Sequence, residues 1–219
     1  EPIHRLLDTP AEVMDQAVLY LRVMAIGMPF MIIYNFGAAV LRSIGDTRRP
    51  FFILVATGIV NVGLNFLFVI GFGMGVEGVA WGTVISTFIN AIAIVILLLR
   101  SGHEVTLHLS LLRPYRHETL KVCKIGIPAG IQTTVFSLSN VFILSAINTF
   151  GAVAAAGSAA ALNFEFYTYF VISAFAQTAT AFTGQNYGAR QIGRIRIIFR
   201  RSLLMSFIGT VILASIILW

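Results

Sequence analysis

One carboxylate stands well inside a long apolar run. It is Glu165, in Ala161-Leu162-Asn163-Phe164-Glu165-Phe166-Tyr167. A charge at mid-membrane costs roughly 2.5–3.5 kcal/mol on the insertion scale, so an acid kept there marks an ion or proton pathway by default. The chemistry expected of Glu165 is binding of a cation or proton in a watered cavity. The alternatives are a hydrogen bond between helices or a protonated carboxyl facing the bundle. Asn61 and Asn65 are four apart and share one helix face. Two amides so placed can offer carbonyl oxygens to a cation, or they can bind a neighbouring helix. The second reading is the better one on the residues alone. Thr83 and Ser86 are weaker candidates, because hydroxyls in helices often bond back to their own main chain. Gln132, Asn140, Asn148, Asn163 and Gln177 give two later spans a polar stripe. Lipid-facing helices do not tolerate that much polarity, so these helices are expected to line a cavity. Gln132, Asn140, Asn163, Gln177 and Tyr34 are the substrate-cavity candidates.

Other chemistries find no support. The four histidines (His4, His103, His108, His117) all lie outside the apolar runs, which argues against haem or an intramembrane metal. Cys123 is the single cysteine, so neither an intrachain disulfide nor a cysteine-built zinc site is available. There is no Walker A loop, dinucleotide fingerprint or nucleophile set. The expectation is a protein that is not an enzyme and needs no cofactor beyond a coupling ion.

These residues must be positioned by membrane-spanning helices. Of 219 residues, 58% are hydrophobic and 11% charged, against about 25% charged in soluble domains. Continuous apolar runs predict six spans near 17–41, 51–71, 77–99, 122–148, 153–182 and 202 onward. A β-barrel would alternate instead. Thr9-Pro10-Ala11-Glu12 reads as a helix cap. Pro29 should kink the first span, and Gly184-Gln185-Asn186-Tyr187-Gly188-Ala189-Arg190 should break the fifth. The polar stretch 100–121 is long for a connection within a bundle and reads as a linker between halves.

The net charge of +6 is a topology signal rather than a nucleic-acid footprint. Thirteen of the 15 Lys and Arg residues lie in 42–49, 100–124 and 190–201. The intervening turns, 71–77 and 148–153, have none. By the positive-inside rule, segments 42–50, 100–121 and 184–201 are cytoplasmic. The acidic N-terminal segment and the last residue are then outside, in a multi-pass protein of the plasma (inner) membrane. The chain begins on Glu1, and Trp219 closes an apolar run; a longer protein is expected.

Several motifs in order carry a resemblance. They are Leu41-Arg42-Ser43-Ile44-Gly45-Asp46-Thr47-Arg48-Arg49-Pro50, Asn61 with Asn65, Gly73-Met74-Gly75-Val76-Glu77-Gly78-Val79-Ala80-Trp81-Gly82-Thr83, Ile125-Gly126-Ile127-Pro128-Ala129-Gly130-Ile131-Gln132, and Gly184-Gln185-Asn186-Tyr187-Gly188-Ala189. Nearly the whole chain thereby resembles the multidrug and toxic compound extrusion (MATE) transporters. The family has twelve helices in two lobes of six. The resemblance implies an all-α integral membrane fold matching helices four to nine. Residues 1–99 would be the C-terminal half of the N-lobe, 100–121 the cytoplasmic linker, and 122–219 the N-terminal half of the C-lobe. It also implies export of cationic or amphipathic compounds, by alternating access, in exchange for sodium ions or protons. The partners would be the lipid bilayer, small organic cations or amphipathic drugs, and the remaining helices of a longer chain; nucleic acid is not among them.

The family's N-lobe cation site uses an acid on the first helix, which would lie outside this chain, an Asn and an Asp on the fifth and a Thr on the sixth. Asn61 and Thr83 match, while Asn65 stands where many members have Asp. Sodium at Asn61, Asn65 and Thr83 therefore lacks one charge. Where some members carry an acid on the seventh helix, this chain has Phe136 and Ser137. Others use the eighth helix, where Glu165 is the counterpart, which raises Glu165 above Asn61 as the coupling residue. Two alternatives remain: a lipid-linked oligosaccharide flippase of the same superfamily, and a membrane scaffold subunit that transports nothing. Flippases show cationic residues in mid-span, and this sequence has none.

Overall fold

The computed structural model describes residues 11–100, 106–108, 113 and 115–218. The expected cap at Thr9-Pro10 and the histidines His4 and His103 lie outside the described residues. Among the described residues six helices follow one another: α1 (Ala11–Ser43), α2 (Arg48–Phe66, extended by a π turn over Leu67–Gly71), α3 (Val76–Arg100), α4 (Arg116–Asn148), α5 (Ala152–Gly188) and α6 (Ile192–Leu218). Each is long and apolar enough to cross a membrane. At 1.5 Å per residue, about 20 residues suffice for that, so several of these helices extend past the hydrocarbon.

Most expected spans lengthen at their ends, because helix propagates into polar flanks that hydropathy does not count. α1 runs on through Pro29 as helix, and α4 begins at Arg116, inside the polar stretch. The fifth span breaks inside the expected stretch 184–190, at its far end: α5 continues past Gly184 to Gly188, and the turn falls at Ala189-Arg190. A helical glycine costs only about 1 kcal/mol, too little to stop a helix that gains elsewhere. The stop comes from Arg190, at φ 56. The Arg190 N–H donates to the Tyr187 carbonyl at 3.0 Å and the Gln191 N–H to the Asn186 carbonyl at 2.8 Å. These are the two bonds of a Schellman cap.

The same cap ends α1 with the residue that suits it. Gly45 sits at φ 90, its N–H donates to Arg42 O at 3.0 Å, and the Asp46 N–H donates to Leu41 O at 3.0 Å. Asp46 then turns to the next helix. Its Oδ1 accepts from the Arg49 N–H at 3.2 Å, and its Oδ2 pairs with Arg49 Nε at 3.4 Å. Pro50 sits in the first turn of α2, where no intrahelical partner exists for the N–H it lacks.

The chain divides into two compact units, Glu1–His108 and Leu109–Trp219. In the first, α3 packs against both α1 and α2. On its α1 side Val84 and Ile94 come close to Gly27 and Gly37, as membrane helix contacts favour. Ala80 and Val84 cluster with Val23, and Ile94 and Leu98 cluster with Ala38 and Leu41. Phe30 and Phe88 meet edge-on, with ring centroids 4.9 Å apart. After α3, Leu107 folds back: its N–H donates to Leu98 O at 3.1 Å, and its side chain packs on the Ile94 cluster. In the second unit α5 packs against α6, where a Cβ on Gly209 would stand 3.2 Å from Val171. Among its described residues, α4 is exposed along its length except at Ile147, which is half-buried.

Candidate functional site

The polar residues of α2 and α3 form one ladder. Thr57 Oγ1 lies 2.6 Å from Asn90 Oδ1, Asn61 Nδ2 donates to Ser86 Oγ at 3.0 Å, and Asn65 Oδ1 lies against Gly82. The α2 positions rise by four as the α3 positions fall by four. Such steps keep side chains on facing stripes of two antiparallel helices. Gly82 gives the Asn65 amide its room, because a Cβ there would press on Asn65 Oδ1 and make that side chain shift. Within α2, Asn65 Nδ2 donates to Asn61 Oδ1 at 3.3 Å. Asn65 Oδ1 is buried with no hydrogen-bond donor, and an unpaired acceptor in a low-dielectric site costs about 1–3 kcal/mol.

The structure thus brings Asn61 and Asn65 together and gives both a role between helices. Thr83 is half-buried on α3, and its hydroxyl donates to Val79 O of its own helix at 2.9 Å. Two acceptors of the ladder face the stretch between α2 and α3: Asn61 Oδ1, already bonded, and Asn65 Oδ1, unbonded. Asn90 was not singled out from sequence. The signal was present, since Gly82, Ser86 and Asn90 repeat the four-residue step of Thr57, Asn61 and Asn65.

Tyr34 packs on the Ala38–Leu41–Ile94–Leu98 cluster, and its hydroxyl donates to Pro50 O at 2.9 Å. It ties α1 to the first turn of α2. The second unit places its candidates differently. Glu165, Gln132, Asn140, Asn163 and Gln177 are all exposed. Asn163 Nδ2 donates to Ala159 O of its own helix at 2.9 Å. At 100° per residue, Asn163 and Gln177 fall within about 40° of each other, and Glu165 lies on the far side of α5 from Asn163. Gln132, Asn140 and Asn148 step around α4 by about 80° each. The five amides therefore do not form a single stripe, and Glu165 stands apart from them.

A family model described as MatE matches residues 1–67 and 128–219, well over half of the chain. The chain belongs to the MatE family. Curated relatives agree. The probable multidrug resistance protein YoeA of Bacillus subtilis (strain 168) is 26% identical over 213 residues, which is 94% of this chain and 46% of that protein. The probable multidrug resistance protein YpnP of the same organism is 30% identical over 191 residues, 86% of this chain and 42% of that protein. The chain spans under half the length of these relatives. A solved MOP superfamily transporter from Pyrococcus furiosus superposes with TM-score 0.86 at 23% identity, covering 94% of this chain and 46% of that one. That protein is described as having a binding pocket of reversed polarity suggesting a different function; for the MatE chain the likeness shows the fold.

Proposed function

We propose that this chain is part of a secondary active transporter that exports cationic or amphipathic compounds in exchange for sodium ions or protons. The observation that carries the reading is the family membership, together with relatives named as multidrug resistance proteins. Alternating access supplies the mechanism: a coupling ion shifts the balance between two conformations only by binding one better than the other. The absence of Lys or Arg from mid-span favours drug export over transfer of a lipid-linked sugar.

Glu165 is the coupling residue in this reading. It is an exposed carboxylate in the middle of α5, with no ion pair or hydrogen bond to another described residue. Asn61, Asn65 and Thr83 form the second candidate locus, with Asn65 Oδ1 as its unbonded oxygen. Gln132, Asn140, Asn163 and Gln177 supply hydrogen-bonding groups to substrate from α4 and α5. The protein sits in the plasma (inner) membrane with segments 42–50, 100–121 and 184–201 in the cytoplasm, as the distribution of cations supports.

The test is efflux of a fluorescent organic cation from proteoliposomes under a sodium or proton gradient. Glu165→Gln should abolish gradient-driven efflux while leaving the thermal midpoint unchanged. Efflux at the wild-type rate with equal protein per vesicle would remove Glu165 from the mechanism.

A further inference from the structure

We propose that the arginine-bearing start of α6 binds the headgroup of an anionic phospholipid, with Arg200 and Arg201 on its phosphate and Leu203, Leu204 and Phe207 along its acyl chains. This goes beyond the efflux reading and does not depend on it.

The first observation is charge. Arg190, Arg194, Arg196, Arg200 and Arg201 fall within twelve residues, and no acid follows Glu165 in the sequence. No ion pair holds any of the five among the described residues. The first turn of α6 has no acid either. A helix N-terminus carries a partial positive charge, so Arg194 in the first turn sits where a cation is disfavoured. An external anion on Arg200 and Arg201 relieves the mutual repulsion of the cluster. Clusters of four to eight cations beside a membrane span attract anionic lipid, each contributing about 1 kcal/mol.

The second observation is a groove with two chemistries. Arg200, Arg201, Leu203, Leu204 and Phe207 line it. The half-buried residues Ile195, Ser202, Ser206, Gly209 and Leu213 mark the face of α6 turned to α5. Arg200, Leu204 and Phe207 lie roughly opposite, by the 100° step. Leu203, Leu204 and Phe207 are exposed at 60%, 58% and 67%. From Arg200 to Phe207 the helix rises about 10 Å, the distance from a phosphate at the surface to the upper acyl chain. A free phosphate would use the arginines and leave the apolar floor unoccupied. A two-chain lipid uses both, which is why the occupant is a lipid.

Native mass spectrometry of the purified chain tests this, with dioleoylphosphatidylglycerol, dioleoylphosphatidylcholine or glycerol phosphate added to the micelles. The glycerol lipid should form the retained adduct. Arg200→Gln with Arg201→Gln should weaken it about thirtyfold, from two contacts of about 1 kcal/mol each. Arg48→Gln with Arg49→Gln removes the same charge elsewhere and should leave it unchanged. Equal adducts with the choline lipid, equal binding of glycerol phosphate, no adduct on the wild type, or full retention in R200Q/R201Q would each overturn the proposal. If that variant does not fold, wild-type protein decides. Dihexanoylphosphatidylglycerol must bind at least about fivefold more weakly than the dioleoyl lipid, and equal binding refutes the acyl contact.

Discussion

Thr57 and Thr133 carry the same hydroxyl and meet different surroundings. Thr133 is exposed on α4 and donates to Ala129 O of its own helix at 3.0 Å. Thr57 is buried, and its one proton stands within reach of Asn90 Oδ1 at 2.6 Å, Ile53 O at 2.8 Å and Leu54 O at 3.2 Å. Thr57→Val should therefore cost about 1 kcal/mol, between the average and the largest hydrogen-bond terms measured across membrane helices. Thr133→Val should stay within about 0.5 kcal/mol. Thermal unfolding of the two variants in one detergent checks the contrast. Equal shifts would show that the ladder does not hold α2 to α3. The sequence made the polar residues of α2 visible, and it favoured a neighbouring helix as their partner over a cation. It did not reveal which partner, because a hydrogen bond between helices depends on register, and register depends on the packing of every residue along both. The four-residue step on α3 was readable, but Gly82 has no side chain to announce that Asn65 lies against it.

At the scale of the helix, two ends use one motif with opposite residues. The left-handed position of the α1 cap holds Gly45 at φ 90, and that of the α5 cap holds Arg190 at φ 56. Left-handed backbone costs an ordinary L-residue roughly 1–2 kcal/mol, and glycine escapes that cost. Gly45→Ala should lower stability by about 1 kcal/mol, and Arg190→Gly should raise it by a similar amount. For a chain of this size each corresponds to about 2–4 °C in thermal midpoint. A shift of the same sign in both variants would contradict the shared cap. The spans themselves were legible, since hydropathy over about 20 residues is a local property of the chain. The end of α5 was legible as the stretch 184–190, but not to the residue: the helix passes through Gly184 and ends at Gly188. The residue that turns the chain is an arginine that no propensity scale would choose.

Across the whole molecule the ladder and the arginines support one another. Because 57 meets 90, 61 meets 86 and 65 meets 82, the same register carried to the end of α3 sets Arg100 level with Thr47. Arg48, Arg49 and Arg100 then stand at one end of the first unit, and the uncharged turn between α2 and α3 stands at the other. In the second unit, Arg116 and Lys121 at the start of α4 are separated from the turn at Thr149–Gly151 by the full length of that helix. Charge and chain direction thus alternate together, which the positive-inside rule converts into an orientation. Single cysteines in a Cys123→Ser background test it with a membrane-impermeant maleimide. Phe150 is exposed at 79%, and Phe150→Cys should label in intact cells. Thr47→Cys and Gln191→Cys should label only after the membrane is opened. The reverse pattern would invert the protein in the membrane. Labelling of all three from one side would mean that α5 does not cross and that an even number of α2, α3 and α4 do, since an odd number of crossings must separate residue 47 from residue 150, and again residue 150 from residue 191.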